Sequence, residues 1–268
     1  MIKILFFGDV IGKIGRQGLK KILPALKKKY KPDLIIANGE NLAHGLGITK
    51  KTLAEMNSLG FNLLTSGNHI WKKKEIEEIF KDSELNKFVI RPANWPRGVL
   101  GDGFCVLKVG KFLVLIINLL GRVFMKEDVD CPFERIDTIL RKNNDKKINA
   151  VVVDLHAEAT SEKVAMGLYL DGRVSAVLGT HTHVGTADTK ILPLGTAYVS
   201  DIGMVGAKDS VIGMKKDNVL NGFLTQLPQV FEPPEKGEVI INAVYLEIDP
   251  RTKKAKKIQR VDLEAKVS

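Results

Sequence analysis

The chain has 268 residues, 44% hydrophobic and 27% charged, with 41 Lys and Arg against 31 Asp and Glu for a net charge of +10. This apolar share supplies a sizeable core and excludes disordered, collagenous and coiled-coil chains, while the length suits one large α/β unit, read as a single domain over residues 1–268. No apolar run reaches the roughly 18 to 20 residues of a membrane span, and the apolar start at 2–7 passes into Gly8-Asp9 without a signal-type cleavage site, so a cytoplasmic protein with no membrane partner is expected.

In chain order, residues 2–7 predict a strand, followed by a glycine-rich turn and a helix in which Leu19, Ile22, Leu23, Leu26 and Tyr30 keep helical spacing. The glycines at 8, 12, 15 and 18 miss the G-x-G-x-x-G spacing, which argues against a dinucleotide. Further short, nearly all-apolar runs at 34–37, 62–65, 112–120, 150–155 and 175–178 predict strands covered on both faces. Helical patterns around 50–59, 72–80, 133–142 and 160–168 fall between them. Beyond residue 186, β runs at 196–200 and 239–248 and an alternating tail at 254–261 predict a second, partly antiparallel sheet. Cys105 and Cys131 read as reduced, core-filling thiols. The basic clusters Lys27-Lys28-Lys29, Lys72-Lys73-Lys74 and 251–260 read as solvated faces, and the tail has no interleaved aromatics to support RNA binding.

Five of these strands end in polar residues: Gly8-Asp9, Asn38-Gly39-Glu40-Asn41, Ser66-Gly67-Asn68-His69, His156, and Gly179-Thr180-His181-Thr182-His183. The carboxyl ends of strands in an open α/β sheet line one crevice, so five stretches deliver carboxylate, amide and imidazole groups to one place. Each has an ordinary explanation alone, as a helix cap, a turn residue or a core histidine. Together they form a nitrogen and oxygen donor set without thiolates, suited to zinc, iron, manganese or nickel, and too large for one tetrahedral ion. His181 and His183 alternate by two, so both reach a metal only if the chain turns there, and Gly179 is the expected pivot.

These residues resemble the calcineurin-like metallophosphoesterase superfamily, whose pattern is Asp-x-His, Gly-Asp, Gly-Asn-His, His and Gly-His-x-His. Ile11 stands where the first histidine belongs, and Asn38-Gly39-Glu40-Asn41 replaces the Gly-Asp block. Those departures, with Arg91-Pro92-Ala93-Asn94, residues 156–163 and Gly195-Thr196-Ala197-Tyr198, are similar to the YmdB-like bacterial phosphodiesterase branch. The resemblance spans nearly the whole chain and is weakest over 208–236. It implies a four-layer α/β/β/α sandwich with two mixed sheets, a centre of two divalent or mixed-valence ions (iron first, manganese as alternative), and hydrolysis of cyclic nucleotides, the 2′,3′ forms with 3′,5′-cyclic AMP as a further candidate. Carried over by position, Asp9, Glu40, Asn41 and His183 hold the first ion, and Asn68, His156 and His181 the second, with Glu40 bridging. His69 is then the proton donor. A homo-oligomer is expected. Two readings compete: a phosphomonoesterase or protein phosphatase on the same centre, and a non-catalytic RNA-binding regulatory module. His44, Arg91 and Arg122 receive no role.

Overall fold

A computed structural model describes residues 1–268. Its elements run β1 (Ile2–Val10), α1 (Gly12–Tyr30), β2 (Leu34–Asn38), α2 (Lys50–Ser58), β3 (Leu63–Thr65), α3 (Glu75–Lys81), β4 (Phe104–Val109), β5 (Phe112–Leu120) and α4 (Pro132–Lys142). The second half adds β6 (Ile148–His156), α5 (Thr160–Leu170), β7 (Ala176–Thr180), β8 (Lys190–Ile191), β9 (Ala197–Val199), β10 (Met204–Ala207), α6 (Lys216–Thr225), β11 (Gly237–Ile248) and β12 (Ala255–Val267). They build two six-stranded sheets, ordered β12-β11-β10-β1-β2-β3 and β4-β5-β6-β7-β9-β8. Both mix parallel and antiparallel pairs.

Three separate cores show the four layers. Side chains alternate between faces along a strand. On β1, Ile2, Ile4 and Phe6 join a core that also contains Val114, Ile116, Ala150 and Val152, so it lies between the sheets. Leu5 and Phe7 face the other way, into a core shared with Ile14, Leu19, Leu23 and Leu53 of α1 and α2. On β6, Val151, Val153 and Leu155 pack with Ile136 and Ile139 of α4 and with Met166 and Leu170 of α5. The near-continuous apolar runs follow from this: each central strand is buried on both faces.

The expectation of a separate C-terminal sheet is overturned. β11 pairs antiparallel with β1 from Ile2↔Ile248 to Phe7↔Ala243 and completes the first sheet, while β9 lies parallel to β7 in the second. A strand's apolar pattern reports its burial but not which edge it joins. The helix expected over 72–80 is divided into a 3₁₀ turn at Ile70–Lys72 and α3. The strands β4, β8 and β10 and the helix α6 have no counterpart among the expected elements; β4 is only half-buried, and Val219 is the one buried residue of α6. Lys27, Lys28 and Lys29 occupy the last turn of α1, where positive charge offsets the helix dipole. No helix is long and apolar enough to cross a membrane.

Candidate metal centre

The inter-sheet face changes character at the carboxyl ends of the strands. Leu34 and Ile36 face the core between the sheets, so Asn38 follows on that face; by the same alternation Asn118 follows Ile116, Asp154 and His156 follow Val152, and Thr180 follows Leu178. All five are fully buried polar residues. Asp9 would face the helices by simple alternation, but the β1–β2 register shifts between Phe7 and Asp9, which sets Asp9 opposite Asn38. A bulge re-aims a side chain in this way. The crevice is therefore formed by the ends of two sheets, rather than by the ends of one open sheet.

Every residue expected in the site is brought there. His156 Nε2 lies 3.0 Å from His181 Nδ1, 3.2 Å from Asn68 Oδ1 and 3.3 Å from Glu40 Oε1. The ligand atoms of Glu40, His156 and His181 all fall within 4.8 Å of one another. Beside them, Asn41 Nδ2 faces Asp9 Oδ1 at 3.5 Å, Glu40 Oε1 at 3.4 Å and His183 Nε2 at 3.3 Å. His69 Nδ1 contacts Asn41 Oδ1 at 2.8 Å and lies 3.2 Å from Glu40 Oε1.

These donors fit metal ions. His156 Nε2 carries one proton at most, yet it faces three lone-pair atoms at 3.0–3.3 Å, so at most one contact is a hydrogen bond. Such spacings are those of donor atoms sharing an ion, since ligands about 2.1 Å from a metal stand roughly 3.0–3.4 Å apart. Gly67 supports the fit, because a Cβ there would run into both the His156 ring and Glu40 Oε2.

The histidine tautomers agree with ligation. His183 Nδ1 donates to the Ile212 carbonyl at 2.8 Å, leaving Nε2 facing Asp9 and Asn41. His181 Nε2 meets Glu158 Oε2 at 3.1 Å, leaving Nδ1 facing His156. His156 Nδ1 contacts Thr180 Oγ1 at 2.9 Å, and Thr180 Oγ1 donates to Asp154 Oδ1 at 2.7 Å, so Nδ1 holds the ring proton and Nε2 is free to bind. Partners of this kind orient metal ligands.

Without cations, burial pushes Asp9 up, whereas for Glu40 the opposing pull of His156 and His69 overcomes burial and holds it well below the usual carboxylate range. Burial would lower His156, but Glu40, Asp9 and Asp154 raise it to about 9; burial and the charge of His156 push His181 down to about 3. A proton on His156 thus balances the carboxylates, and metal binding displaces protons of this kind.

The turn expected at Gly179 lies elsewhere. Gly179 is inside β7, where a Cβ would strike the Ser200 carbonyl, and the chain turns at His181 and His183, with φ of 102° and 65°. Asp154, an acidic residue inside an apolar run two positions before His156 and fully buried, was the signal available for the hydrogen-bonded support; Glu158 and Lys163 lie in the 156–163 stretch but received no role, and Asp201 lies in no motif. Arg91 donates to the carbonyls of Pro92, Val99 and Leu100 and so ties a loop; His44 is exposed with φ 56°. Cys131 departs from expectation, since it sits half-buried at the start of α4, where Arg122 reaches its sulfur, rather than in a core.

The chain shares its fold with a 5′-nucleotidase precursor from Thermus thermophilus, on which it superposes with TM-score 0.56 at 15% identity, covering 98% of this chain and 54% of that one. The chain belongs to the YmdB-like protein family, whose model matches residues 5–261. It is 46% identical over 260 residues to the 2′,3′-cyclic-nucleotide 2′-phosphodiesterase of Bacillus subtilis (strain 168), covering 97% of this chain and 96% of that protein. A crystal structure described as a novel phosphatase from Mycoplasma pneumoniae matches with TM-score 0.91 at 36% identity, over 99% of this chain and 94% of that one.

Proposed function

We propose that the chain is a metal-dependent phosphodiesterase that opens 2′,3′-cyclic nucleotides. Asp9, Glu40, Asn41 and His183 would hold one ion, and Asn68, His156 and His181 a second bridged by Glu40, with iron the first choice and manganese the alternative. The observation that carries this reading is the cluster of lone-pair donors around His156 Nε2 and Asn41 Nδ2, which hydrogen bonds alone leave unbalanced. The Bacillus relative's name supplies the substrate and favours the 2′,3′ ring over 3′,5′-cyclic AMP. When bound, such ions polarise phosphoryl oxygens and make water nucleophilic at neutral pH.

The chain's own groups supply the proton. Half a turn of the Asn41 amide points its oxygen at Asp9, Glu40 and His183, where a ligand is needed, and its NH₂ at His69 Nδ1. His69 then keeps its proton on Nε2, in a side chain left 27% exposed at the site's edge, ready for the departing ribose oxygen. One amide thus couples ligation to the tautomer of the acid.

The test is turnover of the metal-loaded protein on 2′,3′-cyclic AMP, 3′,5′-cyclic AMP, a nucleoside monophosphate and a phosphoserine peptide. The 2′,3′-cyclic substrate should lead. The name of the Mycoplasma relative favours a phosphatase, and fast release of phosphate from the monoesters with no cyclic-nucleotide turnover would establish that reading instead.

A further inference from the structure

Beside the metal centre stands an aromatic residue in a conformation that its side chain disfavours. Leu120, the last residue of β5, is in register with His156 on β6, and Gly121 N donates to the His156 carbonyl at 2.9 Å, so the chain leaves β5 next to the site. Met125 N then donates to the Arg122 carbonyl at 3.3 Å and closes a tight turn, with Phe124 at its third position and φ 63°. Glycine or asparagine is favoured at such a position, because a bulky side chain is strained there. Phe124 is nevertheless 84% exposed, so no packing in the chain offsets that strain.

The turn is also firmly held. Glu162, only 7% exposed near the start of α5, accepts Arg122 N at 3.0 and 3.1 Å and Val123 N at 3.3 Å. Strain that the surroundings enforce and that nothing in the chain uses points to a function outside it. Four residues span at most roughly 14 Å, so Phe124 stays within the reach of a nucleoside whose phosphate lies at His156.

We propose that Phe124 is the platform on which the base of the nucleotide substrate stacks. The inference rests on the phosphodiesterase reading and adds the residue that recognises the nucleoside. An aromatic face accepts any base, so it confers preference for nucleotides over base-free cyclic phosphates without reading base identity. Such a contact, remote from the reacting bond, appears mainly in KM.

The experiment compares kcat and KM on 2′,3′-cyclic AMP and on base-free ribose 2′,3′-cyclic phosphate, for the wild type, Phe124→Gly and Phe124→Tyr, with sedimentation of each. Glycine suits the observed φ, so this variant should fold. Phe124→Gly should lower the nucleotide-to-base-free ratio of kcat/KM about tenfold, mostly through KM, and Phe124→Tyr should restore it. An unchanged ratio in Phe124→Gly overturns the stacking role, as does a change in its mass in solution, which would place Phe124 between copies of the chain. A wild type inactive on both substrates overturns the phosphodiesterase reading and the stacking role with it.

Discussion

Lys163 Nζ lies 2.7 Å from Asp201 Oδ2 in a pair almost sealed from solvent, with side chains 2% and 1% exposed. The same carboxylate oxygen accepts Thr182 N at 3.0 Å and Thr182 Oγ1 at 2.8 Å, and its other oxygen accepts Gly203 N at 2.8 Å. Thr182 stands between His181 and His183, both at positive φ. The pair therefore pins the one residue that fixes how both histidines enter the site.

Removing one member of a buried pair strands the other, at a cost of about 3–5 kcal/mol. Lys163→Met should lower the unfolding free energy by about that amount and weaken metal binding in parallel. Thermal unfolding and a chelator competition on the same preparation check both, and a variant with unchanged metal affinity would separate the pair from the histidines.

Asp154→Asn should leave the fold intact, because the amide can still accept from Thr180. It removes the charge that fixes the Thr180 and His156 protons, so metal affinity should fall on the order of 10–100-fold. Affinity equal to wild type would mean that Asp154 serves only to fill the inter-sheet space.

Burial, reinforced by Asp102, pushes the Cys105 thiol up to about 12. Only the thiolate reacts, so at pH 9 native Cys105 should alkylate on the order of 10³ times more slowly than an ordinary thiol, leaving Cys131 as the site of first modification. Because the unfolded chain releases this proton first, the contribution of Cys105 to stability is complete below about pH 9 and declines as pH rises toward 12. Mass spectrometry of briefly alkylated protein checks the order of reaction, and equal labelling would contradict it.

His69→Ala should keep its metals and fold while losing on the order of 10²–10⁴ in turnover on a ribose diester. A nitrophenyl diester has an acidic leaving group and needs little protonation, so the loss there should be smaller. Equal losses with metals intact would contradict the acid role, and loss of metal would make His69 a ligand.

Much of this was legible because short apolar runs ending in Asp, Asn, Glu and His are a local pattern. The central strands were marked by runs such as 150–155, which are apolar at nearly every position because both faces are covered, whereas the four layers came only from the family resemblance. What stayed hidden is long-range. Nothing in 239–248 says that it pairs with β1, and nothing in Lys163 says that its ammonium meets a carboxylate 38 positions away. The bulge that turns Asp9 toward the site and the positive φ at His181 and His183 are backbone events produced by neighbouring strands, so a period-2 reading could not place them.

The central claim is a binuclear centre bridged by Glu40, and metal content per chain tests it most directly. Protein prepared with iron or manganese supplied should contain about two ions per chain, and Glu40→Ala should lose occupancy at both positions while His69→Ala keeps it. One ion or fewer in the wild type, or unchanged content in Glu40→Ala, would contradict the account.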